Sequence, residues 1–216
     1  MHRFFAGPGC FNDGKVFLPA SEAHHLSKVL RLRPGTDVLV FDGQGHEYKV
    51  QLMAVKGAEA WGRVMAEVSS LKEPALKVSL AQGWAKKGKN ELVAQKATEI
   101  GIQTLIPLAC HRSVAKVSPA GTKEKRLRRA VQEAAKQCGR AVIPLVEPAC
   151  TFTDLLSRFT AYDAVLLCWE KENAADLKQV LSQLRLRSLK TLLILVGPEG
   201  GFTEQEASTA IEHGAF

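Results

Sequence analysis

The sequence predicts a two-part α/β protein: a small all-β module over residues 1–72, then an α/β domain with a largely parallel sheet over residues 73–216. Three observations carry this. Residues 37–55, DVLVFDGQGHEYKVQLMAV, alternate apolar and polar positions about a DGQG turn, the pattern of a β-hairpin. The segment SSLKEPA at 69–75 is small, polar and interrupted by proline, as linkers are. Beyond it, apolar runs alternate with helical stretches five times, and repeated strand–helix–strand units build a parallel sheet with helices on its faces.

In order, VFLP at 16–19 predicts a first strand, and Ser21 predicts the cap of a helix with Leu26, Val29 and Leu30 on one face. Arg33-Pro34-Gly35 ends it. Its Lys28, Arg31 and Arg33 have two readings: contacts to RNA phosphates, or the solvated side of an amphipathic helix. WGRVMAEV at 61–68 completes the β module. The α/β domain follows with strands at 76–82, 104–110, 142–146, 164–169 and 191–196, and helices near 90–100, 122–137, 152–159, 174–186 and 203–213. In TKEKRLRRAVQEAAKQCGR, 122–140, Leu127, Ala130, Val131, Ala134 and Ala135 form a core-facing stripe, leaving Lys125, Arg128, Arg129 and Lys136 outward.

At 216 residues and 46% hydrophobic, the chain can bury a substantial core. No apolar run approaches the length of a membrane span and no signal-like segment opens the chain, so a cytoplasmic protein with no membrane partner is expected. Five dispersed cysteines without a C-x-x-C read as small buried hydrophobes, and six histidines without ligand spacing give no metal site. The net charge of +7 is uneven. Lys plus Arg against Asp plus Glu is 9 to 7 over residues 1–72, 14 to 5 over 73–140 and 6 to 10 over 141–216. Lys86, Lys87 and Lys89 add to the basic middle, which suits a polyanion such as nucleic acid or is a solvated basic surface.

The stretch LLILVGPEGGFTEQE, 192–206, reads as a buried strand that breaks at Gly197, Pro198, Glu199, Gly200 and Gly201 before a helix begins. Thr203 and Glu206 form a capping-box pattern, so the helix start is satisfied internally. There is no P-loop and no dinucleotide fingerprint, and Glu199 would repel phosphate. A cationic ligand without phosphate fits this loop, S-adenosylmethionine among them; a plain tight turn is the alternative.

These residues carry a family pattern. LILVGPEGGFTEQE resembles the glycine loop of the SPOUT-superfamily RNA methyltransferases. HRFF, HHLSKVLRLRPG with FDGQGHEY, QKATEIG with IPL and HRSV, and EAAKQCGRAVIPLVEPA narrow the resemblance to the ribosomal RNA small subunit methyltransferase E family, the 16S rRNA uracil-N3 methyltransferases. The resemblance implies an N-terminal PUA-like β-barrel that helps hold RNA, and a C-terminal SPOUT domain knotted as a trefoil around S-adenosylmethionine. It also implies a homodimer and, as partner, 16S rRNA in the small ribosomal subunit. Cofactor contacts would come from Leu167, Cys168, Leu195, Val196, Gly197, Pro198, Glu199, Gly200 and Gly201. RNA contacts would come from Arg3, Lys28, Arg31, Arg33, Lys86, Arg112, Arg128 and Arg140. The family continues beyond the segment equivalent to EHGAF with a further strand, loop and helix, so the site and the knot are expected to be incomplete within residues 1–216.

Methyl transfer to N3 of uracil requires a positioned methyl group, an in-line nitrogen and removal of the imide proton. Glu99 and Glu199 are the candidate proton acceptors, with pairing of Glu99 to Arg112 and a loop-shaping role for Glu199 as the structural alternatives. Arg112 or Arg140 can instead stabilise charge developing on the uracil oxygens.

Overall fold

The computed structural model describes residues 1–69, 73–86, 88–113, 121–172, 176–185 and 188–216. Lys87 and residues 70–72 of the expected linker lie outside them. The chain divides into two compact units, one of residues 1–73 with 135–143, the other of residues 74–134 with 144–216.

The first unit holds β1 (Arg3–Phe5), β2 (Phe11–Asn12), β3 (Lys15–Leu18), α1 (Ala20–His24), β4 (Asp37–Phe41), β5 (Glu47–Lys56) and β6 (Glu59–Val68). They make one mixed sheet in the order β1-β4-β5-β6-β3-β2, with β1 parallel to β4 and the remaining pairs antiparallel. The β4–β5 hairpin predicted at 37–55 is present. Its turn is held by Asp42, whose Oδ1 accepts the N–H groups of Gln44 at 2.7 Å and His46 at 3.1 Å. Period-2 alternation puts Val38, Val40, Val50 and Leu52 into the core beside Phe4, Val16 and Leu26.

The helix at 20–30 departs from expectation. Pro19, not Ser21, precedes its first turn, and a π-helical turn follows over His25–Val29. The wider turn rotates the apolar stripe, so Leu26 is fully buried while Val29 is exposed.

The second unit holds β7 (Lys77–Gly83), α2 (Lys89–Ile100), β8 (Thr104–Ala109), α3 (Thr122–Cys138, its last turn counted with the first unit), β9 (Leu145–Val146), β10 (Cys150–Thr151), α4 (Phe152–Leu156), β11 (Ala164–Cys168), α5 (Leu177–Arg185), β12 (Thr191–Val196) and α6 (Glu204–Glu212). The sheet is parallel throughout, in the order β10-β8-β7-β12-β11, with β9 also on β8. The run expected at 142–146 forms a strand only after Pro144, which has no N–H to give a ladder. Ala81, Ile106, Leu108, Leu193, Leu195 and Phe202 fill the core. Of the stripe expected on α3, Leu127, Val131, Ala134 and Ala135 are buried and Ala130 is half-buried; Glu124 in the first turn is buried as well. Lys136 is not outward: its Nζ is buried against Glu22 at 2.8 Å within the first unit.

Candidate functional site

In an open parallel sheet the ligand crevice lies at the carboxyl ends of the strands. β11 and β12 run in register from Ala164↔Leu192 to Cys168↔Val196, so they finish side by side. A cavity of about 480 Å³ opens there, within the size range of small-molecule sites. Leu166, Leu167, Cys168 and Trp169 at the end of β11 form one wall, Val196, Gly197, Pro198 and Gly201 another, and Leu177 and Val180 of α5 a third. Phe216 closes one side. Its N–H donates to Val165 O at 2.9 Å and its carbonyl accepts from Leu167 N–H at 2.8 Å, extending the backbone ladder of β11. The charged lining residues are Glu170 and Glu172. Apolar walls with carboxylates suit a ligand that is part apolar and part cationic, and oppose a phosphate.

The glycine loop is built by close approach. Gly201 has φ +66°, donates its N–H to Pro198 O at 2.8 Å, and leaves room for the Glu170 carboxylate, whose Oε1 lies 2.2 Å from where a β-carbon would stand. Pro198 in turn rests on the end of β7, its nitrogen 2.6 Å from the β-carbon position of Gly83. After the loop, Thr203 and Glu206 form the predicted capping box, and Glu206 also accepts the N–H of His111 at 2.8 Å.

Glu199 turns away from the cavity. Its carboxylate accepts the backbone N–H of Lys86 at 3.0 Å and pairs with Lys89 Nζ at 3.0 Å, clipping the loop to the segment after β7. Its own backbone N–H, then that of Lys86 and then Lys89, hold its pKa down to about 2. A carboxylate held so firmly in the charged form is a poor proton acceptor near neutral pH. Gly200 also faces outward, with the Arg112 side chain 3.3 Å from its β-carbon position. Arg112 Nη1 donates to Gly200 O at 2.8 Å and Phe202 O at 3.3 Å. Leu195 is fully buried in the core rather than on the cavity, because alternate residues of β12 face opposite sides of the sheet.

Of the remaining residues singled out in the sequence, Glu99 is exposed near the carboxyl end of α2. It pairs with Lys96 at 2.8 Å and with Gln95, which lower its pKa, and it does not meet Arg112. It lies outside the cavity lining. Arg3 and Arg140 are not surface cations. Arg3 is half-buried against Glu47 and donates to the carbonyls of Ala135 at 2.8 Å and Arg140 at 2.9 Å, and its guanidinium lies 4.0 Å from the centre of the Phe41 ring. Arg140 is buried against Glu73 at 2.6 Å. Both guanidiniums are thus engaged with partners of the first unit rather than offered to a phosphate. Lys28, Arg31 and Arg33 in the first unit, and Lys86, Arg112 and Arg128 in the second, are exposed. Cys168 is exposed at the cavity, contrary to the expectation for cysteines, whereas Cys110 is buried, which pushes its thiol up to about 12. Sequence reasoning missed Trp169, Glu170, Glu172, Leu177 and Val180; the acidic pair after β11 was the signal available for it. Among the described residues, no group of three or more His, Cys, Asp or Glu is placed to hold a metal ion, and no helix is long and apolar enough to cross a membrane.

Comparison with known proteins gives this geometry its context. Residues 72–216 match an RNA methyltransferase domain and residues 18–58 an RNA methyltransferase PUA domain. The ribosomal RNA small subunit methyltransferase E of Bacillus subtilis is 31% identical over 199 residues, covering 90% of this chain and 78% of that protein. Its counterpart in a Synechocystis species is 31% identical over 214 residues, covering 99% of this chain and 69% of the relative. Among solved structures, the ribosomal RNA small subunit methyltransferase E from Neisseria gonorrhoeae bound to S-adenosyl methionine superposes with a TM-score of 0.85 at 26% identity, covering all of this chain and 86% of that one. With a parallel sheet, an acidic cavity behind its glycine loop and relatives matched across both units, the chain belongs to the ribosomal RNA small subunit methyltransferase E family.

Proposed function

We propose that this protein transfers the methyl group of S-adenosylmethionine to N3 of a uridine in 16S rRNA of the small ribosomal subunit, acting in the cytoplasm as a homodimer with a trefoil-knotted catalytic domain. The observation that carries the reading is the cavity at the ends of β11 and β12, apolar in its walls and acidic in its charged residues. The cofactor, when bound, supplies an electrophilic methyl on a sulfonium. The residues fit such a group: Leu167, Trp169 and Val196 offer apolar surface to an adenine, Gly197 and Gly201 let the loop close tightly on its own backbone and on the Glu170 carboxylate, and Glu170 and Glu172 set carboxylates in the lining against positive charge.

Arg112 is the residue best placed to meet the nucleotide from the loop's outer side. Nη1 holds the loop, leaving Nε and Nη2 for a phosphate or for charge developing on a uracil oxygen. The clipped Glu199 and the paired Glu99 are poorly suited to accept the imide proton, so positioning rather than a dedicated base is the main contribution of these residues. Mass spectrometry of 16S rRNA nucleosides from a strain lacking the gene is the test. Loss of 3-methyluridine supports the reading; its persistence, or loss of a ribose-methylated nucleoside instead, overturns the assignment to uracil N3.

A further inference from the structure

The outer face of β3 and β6 carries a feature that the cavity does not use. In the antiparallel register Phe17 stands opposite Trp61 and Lys15 opposite Arg63, so these four side chains share one face while Val16 and Leu18 turn into the core. Phe17 is 51% exposed. Its ring is stacked near Trp61 at 6.3 Å between centroids, 30° between planes, and Lys15 Nζ lies 5.6 Å from the centre of the Trp61 ring. Gln51 continues the row beyond Arg63. Neither Lys15 nor Arg63 has a carboxylate in ion-pair contact among the described residues. The nearby acid on β6, Glu59, stands opposite Lys56 at the strand end.

We infer that this face is a stacking surface for an unpaired stretch of the RNA substrate. Two adjacent aromatic planes flanked by cations without a carboxylate partner match the chemistry of single-stranded nucleic acid, in which bases stack on rings while phosphates meet Lys and Arg. An apolar protein partner would bury both cations without counter-charge, which is unfavourable. Base-paired RNA keeps its bases within its own stack, so it presents only backbone and groove. The inference rests on the proposed rRNA substrate and adds a second place where that substrate is held.

The test is fluorescence anisotropy of a labelled short oligouridylate with the wild-type protein and with Phe17→Ala, Trp61→Ala, Trp61→Phe and Arg63→Glu, each first checked for native thermal unfolding. Either alanine variant should weaken binding roughly tenfold, consistent with the loss of one stacked base, with the slope of affinity against salt unchanged. Trp61→Phe should retain most of the affinity. Arg63→Glu, on the exposed side of the strand, should weaken binding and lower the salt slope by at least about one, and it decides the matter if an aromatic variant fails to fold. Unaltered oligouridylate affinity in the folded variants overturns the inference, as does no binding by the wild type. Calorimetry with S-adenosylmethionine and rRNA methylation assays on the same preparations separate the two readings. Aromatic-dependent RNA binding without uracil methylation removes the proposed activity and leaves the surface standing; normal methylation with unaltered RNA binding removes the surface alone.

Discussion

Arg112 lies along Gly200 and donates through Nη1 to its carbonyl oxygen at 2.8 Å, gripping the glycine loop on the side opposite the cavity. An ammonium has donors enough for both carbonyls, but its shorter, flexible stem does not hold it in the plane that aims Nη1 at the two. Arg112→Lys should therefore keep RNA affinity near wild type yet weaken S-adenosylmethionine about fivefold, and Arg112→Ala should reduce both, in line with the value of charged hydrogen bonds at an exposed site. Calorimetry with the cofactor, alongside anisotropy with RNA, reads the split.

Glu199 makes the loop sensitive to acid in a defined direction. Its pKa is lowered from 4.5 to about 2 in the folded protein, so the stability it contributes is complete above the unfolded value of 4.5 and is lost as pH falls through about 2. Urea unfolding of wild type and Glu199→Gln should show a constant difference above about pH 5.5 that shrinks steadily below pH 4.5. A difference that grew on acidification would remove the clip to Lys86 and Lys89 as its source.

The glycines of the loop are not equivalent. Gly201→Ala should destabilise by about 1–2 kcal/mol because φ +66° is strained for a side chain, with Gly201→Asn milder. The Glu170 carboxylate can swing aside, so it adds little to that strain. Gly83→Ala meets the backbone nitrogen of Pro198, which cannot swing, and should displace the loop and lower cofactor affinity as well as stability. Gly200→Val meets only the Arg112 side chain, so its effect should fall mainly on cofactor affinity and leave the unfolding midpoint near wild type. Denaturant midpoints with cofactor titrations order the three.

Arg3 and Arg33 should separate structure from RNA contact. Arg3→Ala leaves Glu47 buried without its partner and should destabilise by about 3 kcal/mol, with RNA affinity of the remaining folded protein unchanged. Arg33→Ala, at an exposed position, should leave stability within about 0.5 kcal/mol and lower RNA affinity, reducing the salt slope by about one. Chemical denaturation and salt-dependent anisotropy provide the two readouts.

The periodic elements were legible in the sequence because their signals are local. The alternation about DGQG, the five strand–helix repeats and the Thr203–Glu206 box each rest on neighbours within a few residues. What escaped depended on partners distant in the chain. An arginine looks the same in sequence whether it faces water or a buried carboxylate, so Arg3 and Arg140 read as RNA contacts until Glu47 and Glu73 came into view. Glu199 read as a cavity residue because the loop's outer clamp comes from Lys86 and Lys89, more than a hundred residues earlier. The acidic pair Glu170 and Glu172 belongs to the site only because β11 ends beside β12. The π turn that exposes Val29 has no periodic signature at all.

The nine residues 135–143 bring a different kind of consequence. They are remote in sequence from the first unit, yet they carry Lys136 to Glu22, Arg140 to Glu73, the carbonyls that Arg3 grips, and Ala135 and Ala141 to Phe41. A cut at residue 73 would leave Glu22 without Lys136 and Glu73 without Arg140, and would take from Arg3 the carbonyls it grips, leaving it Glu47 alone. The N-terminal module is thus not a cassette that ends at residue 73: a graft or a deletion that respects its chemistry must carry the 135–143 segment with it.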